Sequence, residues 1–261
     1  MEKTPPRKPF ALANWKMAMT RSESLAVVQA FRAAVGEAAQ TVDIVICPAY
    51  TALHAVANGL VNTPIALGAQ NMSASPGLAH TGEISAALLV DVGCEWVMLN
   101  HWEIRRRTSE TDADVNRKML AAFQAGLLPI LLVGEEAAER GEAKETLAAR
   151  LPALFSGCDS EHVARMAIVY EPEWTIGMKE PAPPEYVAEG CAFIRGWIGH
   201  AFSAECADTV RIIYGGSVAP EYTANLLASP DVDGAGASRK GRDPDAFAEI
   251  VRLIATANKP L

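Results

Sequence analysis

Eight short apolar runs recur along this chain, at residues 10–15, 42–47, 65–70, 96–100, 128–133, 166–171, 211–214 and 232–236. Each is followed by a stretch whose apolar residues return at helical spacing, the clearest at 22–39, 114–125 and 185–202. The runs are nearly continuous in Ile, Val and Leu, which suits strands covered on both faces, as a parallel sheet requires. Strand-then-helix units at intervals of roughly 25–40 residues, with no linker between them, favour an α/β fold. They point to a closed (β/α)8 barrel forming one domain over residues 1–261. An open doubly wound sheet is the other arrangement the rhythm allows. No Gly-rich dinucleotide fingerprint follows the first run, which weighs against it.

The composition narrows the partners. A formal charge of −8 argues against a nucleic-acid binder, which presents a basic face. It leaves room for an anionic small substrate, because a few local cations and helix N-termini can hold a phosphate. Cys47, Cys94, Cys158, Cys191 and Cys206 are scattered singly with no CxxC, a pattern suited to a reducing compartment. Residues 1–9 carry charges and prolines but no apolar core of a leader peptide. No run is long enough to span a membrane. The expectation is a cytoplasmic protein with no membrane association.

In a barrel of this kind, functional residues collect at the C-terminal ends of the strands. Read off those ends, the polar residues are Asn14 and Lys16 after the first, His101 and Glu103 after the fourth, and Glu171 after the sixth; Gly215, Gly216 and Ser217 follow the seventh. Taken singly, each has an ordinary reading: a solvated lysine, a structural histidine, a plain turn. Their gathering at one rim is harder to explain that way. A carboxylate at a strand end, followed by a Pro/Trp hinge and a Gly, is what a shielded general base needs.

The motifs in order are Asn14-Trp15-Lys16-Met17, Cys47-Pro48-Ala49-Tyr50-Thr51-Ala52-Leu53 and Gly68-Ala69-Gln70-Asn71. His80-Thr81-Gly82-Glu83-Ile84-Ser85, Val133-Gly134-Glu135, Tyr170-Glu171-Pro172-Glu173-Trp174-Thr175-Ile176-Gly177 and Tyr214-Gly215-Gly216-Ser217-Val218 complete them. Together they resemble the triosephosphate isomerase family over essentially the full length, and with it the TIM barrel. The resemblance implies that Glu171 is the base moving a proton between adjacent carbons of a sugar phosphate. It implies that His101 is a neutral hydrogen-bond donor, the pairing already known for this family. Lys16 would stabilise the enediolate, with Asn14 as a neighbouring donor and Glu103 as a further member of the site. The phosphate would be held by Gly177 on a mobile lid, by Ser217, and by the loop containing Ser238 and Arg239. A homodimer would form through the loop around Thr81, which reaches into the partner's site. No metal and no organic cofactor is expected.

The chain also leaves the pattern around the site. The family's Gly-His-Ser-Glu-Arg-Arg reads Asn100-His101-Trp102-Glu103-Ile104-Arg105 here, so the Ser that holds the base in the open state is Trp102. The arginine that pairs with the dimer loop's acid is Ile104, leaving Glu83 without that partner. The lid reads Ile176-Gly177-Met178-Lys179-Glu180-Pro181-Ala182, and Pro181 stiffens its far hinge. The two phosphate-loop glycines are Ser238 and Arg239, so backbone approach gives way either to a remodelled loop or to an arginine clamp. These departures keep two other functions in view. One is an isomerase of another short sugar phosphate, such as a tetrulose (erythrulose) phosphate. The other is a non-catalytic sugar-phosphate sensor, with Trp102 filling the cleft.

Overall fold

Apolar runs with no polar face must be covered on both sides, and here they are. A computed structural model describes residues 7–75 and 77–257; residues 1–6, part of the start read as lacking a leader, lie outside them. The strands are β1 (Phe10–Asn14), β2 (Asp43–Cys47), β3 (Ile65–Ala69), β4 (Trp96–Leu99), β5 (Leu128–Val133), β6 (Ala167–Tyr170), β7 (Arg211–Gly215) and β8 (Gly234–Ala237). They pair in parallel in chain order and β8 returns to β1, closing the barrel. The rhythm of the sequence is thus the rhythm of the fold, and the open sheet is set aside.

Side chains alternate along each strand. Phe10, Leu12, Val45, Trp96, Met98 and Ile130 belong to the cluster that fills the barrel. Their neighbours, such as Ala11, Ile44, Val97 and Leu131, face outward into a larger layer shared with the helices. The closing seam uses the smallest residues: a Cβ at Gly234 would stand 1.8 Å from the Phe10 carbonyl oxygen.

Helix limits follow local chemistry. Thr20 and Glu23 form a capping box that starts the helix Arg21–Val35. The apolar spacing predicts a helix running on to residue 39. It stops at Gly36, whose φ of 58° and ψ of −143° break the ladder, and a separate short turn, Ala38–Thr41, follows. Thr111 and Asp114 cap the helix Asp112–Ala125, which ends at Gly126 in the left-handed region. Pro184 begins the helix Pro184–Ala201, where a missing N–H costs nothing. Among the described residues, no helix is long and apolar enough to cross a membrane.

Candidate active site

Three strand ends bring the polar residues together. Beyond β1, Trp15 turns inward and its Nε1–H donates to the Gly241 carbonyl at 2.7 Å, tying this loop to the one after β8. Lys16 follows with φ of 52°, a left-handed conformation unusual for its type. Two bonds hold it there. Its N–H donates to Asn14 Oδ1 at 2.9 Å, and its carbonyl accepts from Gln70 Nε2 at 2.7 Å. The ammonium is thereby presented to Glu103, with Nζ 2.9 Å from Oε1.

Beyond β4, Asn100 is also left-handed, φ 67°, which Asn tolerates better than most residues. Its amide donates to the Leu132 carbonyl at 2.6 Å, and its oxygen accepts from Arg105 Nη1 at 3.0 Å. His101 then caps the helix Trp102–Thr108, its Nδ1 accepting from the Glu103 N–H at 3.2 Å. With that lone pair engaged, the neutral ring carries its proton on Nε2. Nε2 is buried without a partner and lies 3.9 Å from Glu171 Oε2. Burial first, then the charge of Lys16, pushes the His101 pKa down to about 4; Glu103 opposes this and Arg107 adds to it. The imidazole is neutral at physiological pH.

Beyond β6, the Glu171 N–H donates to the Val133 carbonyl at 2.8 Å, so the last strand bond aims the base. Two glycines make room for it. A Cβ at Gly134 would sit 2.2 Å from the Glu171 carbonyl oxygen, and one at Gly215 would sit 3.1 Å from its Oε1. The Glu171 side chain is 14% exposed. Burial pushes its pKa up to about 7, Lys16 working against the rise and Glu103 with it. One carboxyl is therefore made more basic beside an imidazole made less so.

A cavity of about 480 Å³ opens in front of Asn14, Lys16, His101 and Glu103. The lid above starts with a single turn, Glu173–Thr175. Glu135, 1% exposed, anchors that start by accepting from Tyr170 Oη at 3.1 Å and from Trp174 Nε1 and Tyr186 Oη at 2.7 Å. Ser217 Oγ lies 2.9 Å from the Thr175 carbonyl and 2.7 Å from that of Met178. Gly177, with φ of 80°, sits between those two carbonyls, so the lid glycine is held next to the loop after β7. At the far end, past Pro181, the Ala182 N–H donates to Tyr214 Oη at 3.0 Å. After β8, Ser238 is half-buried and Arg239 exposed, followed by a short turn, Lys240–Arg242.

Asn14, Lys16, His101 and Glu103 thus line one cavity; Glu171 faces a small adjoining hollow and meets that set through His101, 3.9 Å from its Nε2, and Ser217 holds the lid around Gly177. Ser238 and Arg239 share a loop that is pinned to the first by the Trp15 bond. The large cavity also takes in Ile104, Arg107 and Arg242, whereas Glu83 lines a different hollow with Arg117 and Lys118. The sequence points to no role for Glu135, although it ends the Val133-Gly134-Glu135 motif, and none for Arg150. The Arg150 guanidinium donates to the Gly134 carbonyl at 3.1 Å and to Asp112 Oδ1 at 3.0 Å, and reaches Asn100 Oδ1 at 3.4 Å. It bridges the turns behind the base and before the histidine, and no local pattern marks such a residue.

Comparison with known proteins agrees with this fold. The family model described as triosephosphate isomerase matches residues 9–254. A triosephosphate isomerase of Symbiobacterium thermophilum is 45% identical over 96% of this chain and 98% of its own. That of Carboxydothermus hydrogenoformans is 41% identical over 94% and 98%. The crystal structure of triosephosphate isomerase from Bartonella henselae superposes with a TM-score of 0.84 at 32% identity, covering 94% of this chain and 98% of that one.

Proposed function

The chain belongs to the triosephosphate isomerase family, and on that premise we propose how its own residues divide the reaction, the interconversion of dihydroxyacetone phosphate and D-glyceraldehyde 3-phosphate. Glu171 removes a proton from the carbon beside the carbonyl and returns it to the neighbouring carbon. Negative charge grows on the substrate oxygens in between, giving an enediolate. His101 donates its Nε2–H to those oxygens, and Lys16 supplies fixed positive charge beside them. Asn14 holds the Lys16 turn and Glu103 orients the ammonium. No step calls for a metal or an organic cofactor.

The observation that carries this reading is the pair of opposed shifts across 3.9 Å, with Glu171 raised to about 7 and His101 lowered to about 4. A base is most effective when its pKa lies near the working pH. A donor to a developing oxyanion should be neutral and preorganised, which the N–H of Glu103 on Nδ1 supports. Steady-state isomerisation of glyceraldehyde 3-phosphate, coupled to NADH oxidation, tests it. Glu171→Gln should lose nearly all turnover while the variant still binds inorganic phosphate. Unchanged turnover in the variant would refute the assignment of the base.

For the phosphate, the proposed donors are the backbone N–H groups of Gly177, Ser217 and Ser238, with the Arg239 guanidinium replacing a close backbone approach. Arg239→Ala should raise KM, and more so at low salt; no change would return Arg239 to the solvated surface. The same reading makes the protein a cytoplasmic homodimer. The loop around Thr81 would enter the partner's 480 Å³ cavity, where Arg107 and Arg242 are the cations available to an acidic loop lacking the arginine now replaced by Ile104. Sedimentation at low micromolar protein should find a two-chain species, and a clean monomer would overturn the dimer.

A further inference from the structure

Trp102 departs most from the family pattern beside the site, and its indole packs against it, with the His101 ring stacked 6.1 Å away and the Lys16 ammonium 5.8 Å from the ring centroid. Its ring borders a small cavity of about 40 Å³, shared with Asn100, Gly134, Glu171 and Glu173. It does not line the large cavity in front of Lys16 and His101. One helical turn on, the Arg106 guanidinium lies over the indole, 5.2 Å from the ring centroid. Its Nη2 is 2.5 Å from Glu173 Oε1. Glu173 is the first residue of the lid turn. Its second oxygen accepts from the Ala137 N–H at 3.3 Å, and its own N–H donates to the Glu135 carbonyl at 3.0 Å.

We propose that Arg106, braced on the face of Trp102, is a positioning residue for the first hinge of the lid. It holds Glu173, and through the intervening Pro172 it fixes the direction from which Glu171 meets the substrate. The proposal rests on Glu171 being the base. An exposed ion pair by itself is weak, but this one is asymmetric: the Arg106 side chain is 60% exposed and that of Glu173 only 10%. Removing the cation leaves a largely buried carboxylate whose side chain keeps one long backbone bond, and such a group moves towards solvent. That movement displaces the hinge. Pro172, with φ of −58°, cannot absorb that displacement by rotating about N–Cα, so it passes to Glu171. The indole matters because a flat aromatic face limits where the guanidinium can go, and a planar fork suits that face better than an ammonium.

The test is a double-mutant cycle on the full-length protein, using Arg106→Met, Glu173→Gln and the pair together, with Trp102→Ala and Arg106→Lys alongside. Three quantities are read: kcat against KM in the coupled assay, the rate of tryptic cleavage after the exposed lid residue Lys179, and the melting temperature. Each single change, and Trp102→Ala, should lower kcat roughly three- to tenfold with a smaller effect on KM. Each should also speed cleavage after Lys179 several-fold. The double variant should be no worse than the worse single one, because both remove the same contact. Arg106→Lys should recover part of the loss. Effects that multiply in the double variant would overturn the proposal, as would wild-type kcat and cleavage in the singles. A lowered melting temperature with both of those unchanged would also overturn it, reducing the pair to a structural contact. Glu171→Gln separates this from the premise: turnover there would sink the base assignment, while non-additivity in lid cleavage judges the hinge independently of the chemistry.

Discussion

The raised pKa of Glu171 has a consequence for stability that can be worked out and measured. Burial moves the carboxyl from 4.5 to about 7, so the folded protein binds its proton more tightly than the unfolded chain does. For an acid shifted upward, the penalty is absent below the unfolded pKa. It grows as pH rises towards the folded value and is complete above it. A shift of this size corresponds to about 3 kcal/mol at pH 8.5, and to about 1 kcal/mol at pH 5. Glu171→Gln removes the titration and keeps the shape. The amide introduces its own cost, because its NH2 group requires partners in a buried site. That cost does not depend on pH. The informative quantity is therefore the change in the stability difference between the two pH values, which cancels it. Urea unfolding of both proteins at pH 5 and 8.5, at one fixed protein concentration to hold any association constant, should show the variant gaining about 2 kcal/mol on the wild type as pH rises. His101 titrates in both proteins and largely cancels as well. A difference that is the same at both pH values, or that moves the other way, would mean Glu171 is not a desolvated base, whatever its effect on turnover.

Other outcomes follow from the same geometry. The kcat/KM of the wild type, which reports the free enzyme, should rise with pH through about 7, where Glu171 ionises, while His101 stays neutral down to about 4; a profile flat from pH 6 to 9 would contradict the assignment. Gly215→Ala places a methyl 3.1 Å from Glu171 Oε1 and 2.6 Å from Val169 Cγ1. It should lower kcat at least tenfold and cost about 1–3 kcal/mol of stability; near-normal kinetics would show that the base does not depend on that space. Arg150→Lys keeps the charge but not the fork that spans Gly134, Asp112 and Asn100. It should lower kcat more than it raises KM, and equal effects on both would argue against a role in aligning the base with the histidine.

Much of this protein is determined by its sequence alone. Eight nearly continuous apolar runs can be satisfied only by strands covered on both faces, and their spacing leaves room for one covering helix each. That logic is local and repeats, so the barrel and the rim on which Lys16, His101 and Glu171 stand are legible without coordinates. The strand limits moved by only a residue or two, and the one helix drawn too long, at residues 22–39, failed at a glycine. What tertiary structure decided is the state of those residues. Glu171 is an ordinary carboxyl until β5, Gly134 and Gly215 bury it, and His101 is an ordinary imidazole until Lys16 and the barrel wall surround it. Neither shift has a sequence signature, because burial and charge come from groups far apart in the chain: Lys16 and Glu103 act on both, and Arg107 on His101 as well. The same holds for Trp102. Its size suggests a blocked cleft, and only the tertiary structure puts Arg106, Lys16 and His101 around the ring and carries the Arg106 guanidinium on to Glu173. Periodicity along the chain specifies which surfaces must be buried; the environment of a single side chain depends on which distant residues that burial brings alongside it.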